Sequence, residues 1–268
     1  MKRVLVGMDH SRGSTDALLW AARLASRCEA EVVAVAAFRR GQSELTPADA
    51  EKLRADAERV LEAKWVEPAR NIAPIRTVAT EGDAGDVLLQ AADSEDADLI
   101  VVGSRGAGSG PGFLHFGSVA EYLAHHTTRP LAVIPAAVPG RVSQILVGVH
   151  GSAHDEAAVR WTAEVAAALN AAVIAVAVQS IDREDGVTEP VIREWTEPIG
   201  RAGAEVLAIA VSATSAADGL LRAADRYRAD VVVVGAPPVG MSSRQRARGT
   251  AIKLLHRTTV ATLLVPAE

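Results

Sequence analysis

The sequence predicts an α/β fold: two tandem, doubly wound, five-stranded parallel-sheet domains. Three observations predict it. Short runs that are almost wholly apolar alternate with longer stretches whose apolar residues recur at helical spacing, and strands alternating with helices mean a parallel sheet. Hydrophobic residues make up 49% of the 268 positions but aromatics only 3%, so the core is built from Ala, Val, Leu and Ile, the usual filling of sheets covered on both faces. Finally, the chain repeats itself.

The repeat is legible by eye. RVLVGMDHSRGSTDALLWAARLA (3–25) aligns with QILVGVHGSAHDEAAVRWTAEVA (144–166), setting Gly7 on Gly148, Ser11 on Ser152 and Trp20 on Trp161. KWVEPA (64–69) aligns with EWTEPI (194–199), and DVLLQAADSEDADLIVVGS (86–104) with DGLLRAADRYRADVVVVGA (218–236). HTTRPLAVIPA (126–136) resembles HRTTVATLLVPA (256–267), and all four tryptophans fall in equivalent pairs. The seam is PAAVPGRVS (135–143), rich in Pro, Gly and small residues, which divides the chain into domains of 1–138 and 139–268.

Within the first copy, RVLVGM reads as a buried strand, and STDALLWAARLASRC as a helix capped by Ser14. AEVVAVAAF is a second strand. TPADAEKLRADAERVLEAKWV is a second helix, with Thr46 as its cap and Pro47 in its first turn. APIRTVAT is a third strand, DAGDVLLQAADSE a third helix, and ADLIVVGS a fourth, strongly apolar strand. A Gly-rich loop follows, then GSVAEYLAHH as a fourth helix and PLAVIPA as a fifth strand. Right-handed crossovers turn this order into an open doubly wound sheet. Ligands of such sheets sit beyond the carboxyl ends of the strands, where the winding reverses. The segments after strands one (GMDHS) and four (GSRGAG) are the ones expected to meet there.

A net charge of −5 gives no electrostatic reason to expect nucleic acid or an anionic membrane surface as a partner. A single cysteine, Cys28, excludes an internal disulfide and a cysteine-rich metal site; its Ala-rich helical setting predicts a small buried hydrophobe. MKRVLVGMDHS has no long apolar core of a signal peptide, and no run approaches a membrane span, so a cytoplasmic protein is expected.

The loop VVGSRGAGSGPGFLHFGSVAEYL (101–123) carries the chemistry. Gly103 and Gly106 bracket Ser-Arg at the end of the fourth strand, and Gly117-Ser118 opens the next helix. A helix N-terminus offers unpaired N–H groups and partial positive charge, and glycines let backbone approach phosphate oxygens. Arg105 adds a cation at the rim. The spacing matches neither a P-loop nor the dinucleotide fingerprint, and by itself the loop reads equally as a surface connection. Asp9, just past strand one, supplies a carboxylate suited to ribose hydroxyls or to a phosphate-bound Mg²⁺; by itself it reads more readily as a turn or cap residue. The loop recurs in the second copy, with Gly235 and Gly249-Thr250 in the places of Gly103 and Gly117-Ser118, 14 positions apart in both copies.

With these motifs in place, the chain resembles a tandem universal stress protein of the actinobacterial type. ATP-binding members of that family carry G-x2-G-x9-G-[ST] after strand four and an Asp after strand one. The resemblance implies the adenine-nucleotide-hydrolase-like fold and ATP with Mg as ligands. Its implied site in the first copy is Gly7, Met8, Asp9, Ala37, Gly103, Arg105, Gly106, Gly117, Ser118, Val119 and Ala120. Ala37 lies where strand-two backbone would read the adenine edge, and Asp9 meets Mg only through the bound nucleotide. The sequence departs from the pattern in one respect: ten residues, not nine, separate Gly106 from Gly117.

The second copy departs further. Its counterpart site is His150, Val178, Gly235, Gly240, Gly249 and Thr250, with His150 in the Asp position and Pro238, which has no N–H, in place of the second glycine. Arg244, Arg246 and Arg248 in that loop read as a phosphate grip or as a solvated basic loop. The first site is expected to be the better one. No catalytic residue is assigned: there is no P-loop Lys, and His10 and His115 are the only recruitable bases noted. The resemblance therefore implies a nucleotide-dependent regulator of stress response with a protein partner. A structural protein of the same fold that binds no nucleotide, or a slow ATPase, stays open. It also implies pairing of the two fifth strands within the chain as a pseudo-dimer, and leaves a homodimer open.

Overall fold

The computed structural model describes residues 1–39, 47–106, 117–138, 140–180, 187–236 and 249–267, which form two compact units, Met1–Gly140 and Arg141–Glu268. In the first unit the order is β1 (Arg3–Met8), α1 (Arg12–Cys28), β2 (Glu31–Phe38), α2 (Pro47–Val60), β3 (Ile75–Glu81), α3 (Ala84–Ser94), β4 (Leu99–Gly103), α4 (Ser118–His126) and β5 (Leu131–Ile134). Its sheet runs β3-β2-β1-β4-β5, every pair parallel. Right-handed crossovers put α1 and α2 on one face and α3 and α4 on the other. The winding therefore reverses between β1 and β4, and the carboxyl ends of those two strands open the crevice where a ligand is expected.

The apolar runs are strands because both faces are covered. Val4, Leu5 and Val6, Val32 to Ala36, Leu99 to Val102 and Leu131 to Ile134 are all essentially inaccessible to solvent. The edge strand β3 (IRTVATE) instead mixes apolar and charged residues and is mostly part-exposed.

The second unit repeats the plan with β6 (Gln144–Val149), α5 (Ala153–Leu169), β7 (Ala172–Ser180), the short helices α6 (Glu189–Trp195) and α7 (Glu197–Arg201), β8 (Val206–Ala213), α8 (Ala216–Arg226), β9 (Val231–Ala236), α9 (Thr250–Arg257) and β10 (Ala261–Pro266). Its sheet runs β10-β9-β6-β7-β8, again all parallel. The repeat extends to polar details. Asp98 accepts from the N–H groups of Lys2 and Arg3 (2.8 Å for Arg3), and its counterpart Asp230 accepts from those of Ser143 (2.7 Å) and Gln144 (2.9 Å). In each unit one carboxylate thus satisfies the backbone donors that lead into the central strand.

Three expectations need correction or qualification. The N-cap of α1 is Ser11, not Ser14: the Ser11 hydroxyl accepts from the Ser14 N–H at 3.0 Å, so the helix starts a turn earlier than the apolar periodicity suggests. The second helix does not run unbroken to Val66; α2 ends at Val60 and the chain widens into a π-helical turn over Leu61–Trp65. Cys28 is only half-buried, and desolvation pushes its thiol up, away from a reactive thiolate. Thr46 lies outside the described residues. Among the described residues no helix is long and apolar enough to cross a membrane.

Candidate functional site

The first unit brings the end of β1, the start of α1, the end of β4 and the start of α4 to one place. Asp9 follows β1, and its Oδ1 accepts the N–H of Ser11 at 3.0 Å. A cap and its preceding carboxylate thereby tie the strand end to the helix start. Gly103 ends β4, where an added Cβ would fall 2.6 Å from the carbonyl carbon of Gly13 and 2.7 Å from its oxygen. A Cβ on Gly13 would in turn meet the carbonyl oxygen of Arg105 at 2.2 Å. Helix α1 and the loop after β4 therefore touch backbone to backbone, which two side-chain-free residues make feasible.

The Cα of Gly106 faces Asp9: a Cβ there would lie 2.4 Å from Asp9 Oδ2. The N–H of Gly117 donates to the carbonyl of Ser104 at 2.7 Å, closing the two ends of the loop over one another. Gly117 is the N-cap of α4 and brings no side chain to cap it. The first-turn N–H groups of Ser118, Val119 and Ala120 have no intrahelical acceptor. Ser118 is exposed, Val119 half-buried and Ala120 buried, while Arg105 is exposed at the rim. Asp9, Gly103, Arg105, Gly106, Gly117 and Ser118 are thus neighbours along one continuous rim of backbone and polar groups.

The other expected residues sit deeper. A Cβ on Gly7 would lie 2.9 Å from Leu88 Cδ1 and 3.1 Å from Val102 Cγ1, so the space it leaves is filled by core packing. Met8 is buried beside Ala36 in register, and Ala37 stands one residue further, opposite Thr80.

Sequence reasoning missed the contacts that Gly13, His10 and Trp65 make. Gly13 is the backbone partner of Gly103, and its signal was a glycine in the second position of a helix. His10 takes a left-handed backbone (φ 63°), and its ring stacks on Trp65 with centroids 5.2 Å apart and planes 13° from parallel. The π-helical turn carries Trp65 to that position. The second unit repeats the contact without the imidazole: Gly151 (φ +79°) replaces His10, and a Cβ there would meet the Trp195 ring at 2.4 Å.

At the second unit's Asp position the chemistry is exchanged. His150 stands where Asp9 would, and the carboxylate reappears in the first turn of α5 as Asp155, in the place of Ser14. Asp155 Oδ2 accepts from the N–H groups of His150 (2.7 Å) and Ser152 (3.0 Å), and its Oδ1 lies 3.0 Å from His150 Nδ1. The serine N–H that Asp9 accepts in one unit is accepted by Asp155 in the other. Asp155 is nearly inaccessible while the His150 side chain is 69% exposed, so the group presented outward is an imidazole rather than a carboxylate. Gly235 keeps its close approach, with an added Cβ 2.3 Å from the carbonyl oxygen of His154, and Gly249-Thr250 opens α9 as Gly117-Ser118 opens α4. Val178 packs against Gly219, whose Cβ would fall 2.6 Å from Val178 Cγ1. Gly240, Pro238, His115 and the arginines 244, 246 and 248 lie outside the described residues.

The His150–Asp155 pair gives a pH signature. The hydrogen bond to Asp155 raises the His150 pKa from its ordinary 6.5, against partial burial. Burial raises Asp155 most, but the hydrogen bonds from the His150 ring and from the two N–H groups hold it on balance below its ordinary 3.8. A raised His stabilises below its unfolded pKa and loses that contribution as pH rises through the folded one; a lowered Asp stabilises above its unfolded pKa and loses it as pH falls. Both contributions are complete between roughly pH 4 and 6.5. His150→Gln is expected to lower the urea midpoint at pH 5.5 and to flatten its decline above pH 6.5. An unchanged midpoint–pH profile would contradict the pairing.

Comparison with known proteins agrees with this architecture. The sequence profile of the universal stress protein family matches residues 1–135 and again 142–266. Two universal stress proteins of Mycobacterium tuberculosis, MT2698 (strain CDC 1551 / Oshkosh) and Rv2623 (strain H37Rv), are each 37% identical over 134 residues, which is 48% of this chain and 44% of each relative. The chain thus spans less than half the length of the curated relatives it matches. Among solved structures, a universal stress protein from Archaeoglobus fulgidus DSM 4304 superposes with a TM-score of 0.80 over 99% of this chain and 98% of its own, at 20% identity. One from Pseudomonas aeruginosa UCBPP-PA14 superposes with a TM-score of 0.62 over 99% and 93%, at 12% identity. At these identities the likeness is one of fold. The profile matches, covering nearly every residue of both units, place the chain in the universal stress protein family, with two such domains in tandem.

Proposed function

We propose that the first unit binds an adenine nucleotide, ATP with Mg²⁺, and that the chain acts as a nucleotide-dependent regulator in stress response. The observation that carries this reading is the junction of Asp9, Gly106 and Gly117-Ser118, where a carboxylate stands next to a helix start whose first N–H groups have no intrahelical acceptor. Bare backbone at Gly106 and Gly117 and the first-turn N–H groups of Ser118 to Ala120 suit phosphate oxygens, with Arg105 as an added cation. Asp9 suits ribose hydroxyls or a phosphate-bound Mg²⁺, and strand-two backbone at Ala37 suits the adenine edge. Among the described residues no group of three His, Cys, Asp or Glu side chains is placed to hold a metal; Mg²⁺ would arrive with the nucleotide. When bound, the nucleotide supplies a charged surface that a protein partner can read. In the second unit, His150 stands at the Asp position, so that site is the weaker or altered one.

Two measurements test this. Heat-denatured protein should release adenine nucleotide into the supernatant, or the purified protein should gain thermal stability on addition of Mg-ATP. Saturation at 100 times Kd corresponds to about 2.7 kcal/mol. Absence of both results would overturn the reading.

A further inference from the structure

Strand β8, the outer strand of the second unit, pairs with β7 along one side only. The carbonyl of Glu205 accepts from the N–H of Val173 at 2.8 Å, so odd-numbered residues of β8 direct their backbone groups at β7. Val206, Ala208, Ala210 and Ser212 therefore direct theirs outward. The Ser212 carbonyl accepts from Arg222 Nη2 at 3.0 Å, which confirms the parity. Among the described residues nothing pairs with the outward N–H and C=O of Ala210.

Natural sheets guard such edges with charge. The equivalent strand β3 does so: it carries Arg76 and Glu81, and Arg76 is ion-paired with Glu95. Strand β8 (VLAIAVSA) has no charged residue and leaves Leu207 44% exposed. Beside it runs a cavity of about 440 Å³, lined by Ala210, Val211, Gly219 and Ala223 and rimmed by Arg222 and Arg226. Gly219 and Ala223 present no long side chain to it. Two guanidiniums stand on this rim against one carboxylate, Glu189. Arg226 is further oriented by Tyr227, its guanidinium carbon 5.6 Å from the ring centroid.

We propose that β8 is a docking edge for an acidic, extended segment of a partner protein, which adds to the sheet as a further strand. The incoming backbone pairs with the N–H and C=O of Ala210. One aliphatic side chain enters the cavity, and an acidic side chain meets Arg226. A second copy of this chain is the poorer occupant, because self-pairing would bring together two uncharged strands with basic rims. The proposal is independent of nucleotide binding by the first unit.

The test uses the full chain and fluorescein-labelled acetyl-Glu-Thr-Val-Thr-Glu-amide, which sets Val and both Glu on one face of an added strand, with acetyl-Lys-Thr-Val-Thr-Lys-amide as the charge-reversed control, read by fluorescence anisotropy. Saturable binding of the Glu peptide is expected, at least about tenfold tighter than the Lys peptide, and weakened at least about tenfold by Arg226→Glu. Ala210→Pro removes the outward N–H while leaving the β7 ladder intact, as edge strands tolerate, and should abolish binding with circular dichroism unchanged. A Glu peptide N-methylated on alternate backbone nitrogens makes the same test without altering the protein, and should also fail to bind. No binding of the Glu peptide, equal binding of both peptides, or binding unaffected by both Ala210→Pro and N-methylation would overturn the proposal. So would self-association in sedimentation that Ala210→Pro abolishes, which would make a second copy the occupant.

Discussion

Gly103→Ala is expected to destabilise the first unit by about 1–3 kcal/mol, the usual cost of forcing a methyl group into filled space, and to remove the Mg-ATP thermal shift with it. The methyl group would sit 2.6–2.7 Å from the carbonyl carbon and oxygen of Gly13. Those atoms are backbone, so relief requires α1 to move away from β4. Such a movement drags Ser11, and with it the Asp9 carboxylate that Ser11 holds. Gly235→Ala provides the internal control. Its methyl group meets the carbonyl oxygen of His154 at 2.3 Å, so it carries the same kind of steric cost in the other unit. It should leave nucleotide binding by the first unit intact. Urea denaturation and thermal shift on both variants separate the two effects. A Gly103→Ala protein as stable and as responsive to Mg-ATP as the parent would contradict the backbone contact.

Trp20→Ala is the other change expected to be large, lowering stability by about 3–5 kcal/mol, as for large-to-small replacements in a closed core. Trp20 is 1% exposed in α1, and among the described residues its indole nitrogen has no hydrogen-bond partner. The contribution expected of it is therefore packing. Trp20→Phe, which keeps most of the ring contact and breaks no hydrogen bond, should cost much less, below about 1.5 kcal/mol. Trp161 at the equivalent place in α5 is only half-buried, so Trp161→Ala should cost less than Trp20→Ala. Calorimetric or urea unfolding of the three variants checks the order; a Trp20→Phe cost equal to that of Trp20→Ala would show that something other than packing holds the residue.

The features legible in the sequence were those set by periodicity and repetition. Apolar runs marked the strands of both sheets because parallel strands are covered on both faces. The repeat marked the strand-end glycine and the helix-opening Gly-[Ser/Thr] as the fixed points of the loop. What escaped depends on contacts between distant segments. Ser14 and Ser11 are equally good caps on paper, and only the approach of Gly13 to Gly103 favours the earlier start. The periodicity of residues 46–66 runs on smoothly, so nothing local announces the widened turn that aims Trp65 at His10. Glycine content suggests backbone approach to phosphate oxygens; at Gly103 and Gly106 the backbone also lies against Gly13 and Asp9, closer than a Cβ would allow. The substitution of His150 for Asp reads as a loss when positions are compared singly. With Asp155 in view it is an exchange that keeps the serine N–H satisfied while changing the group that faces outward.

The central claim, an adenine-nucleotide site assembled by Asp9, Gly106 and the start of α4, is tested most directly by calorimetric titration of Mg-ATP into the full chain and its Gly106→Val variant. Among the described residues, a Cβ at this position meets only the carboxylate end of Asp9, so the variant should fold while the space beside the carboxylate is filled. The expected result is a single class of tight sites, one per chain, lost in Gly106→Val and retained in His150→Ala. Binding that survives Gly106→Val but disappears with His150→Ala, or no binding by the parent chain, would contradict it.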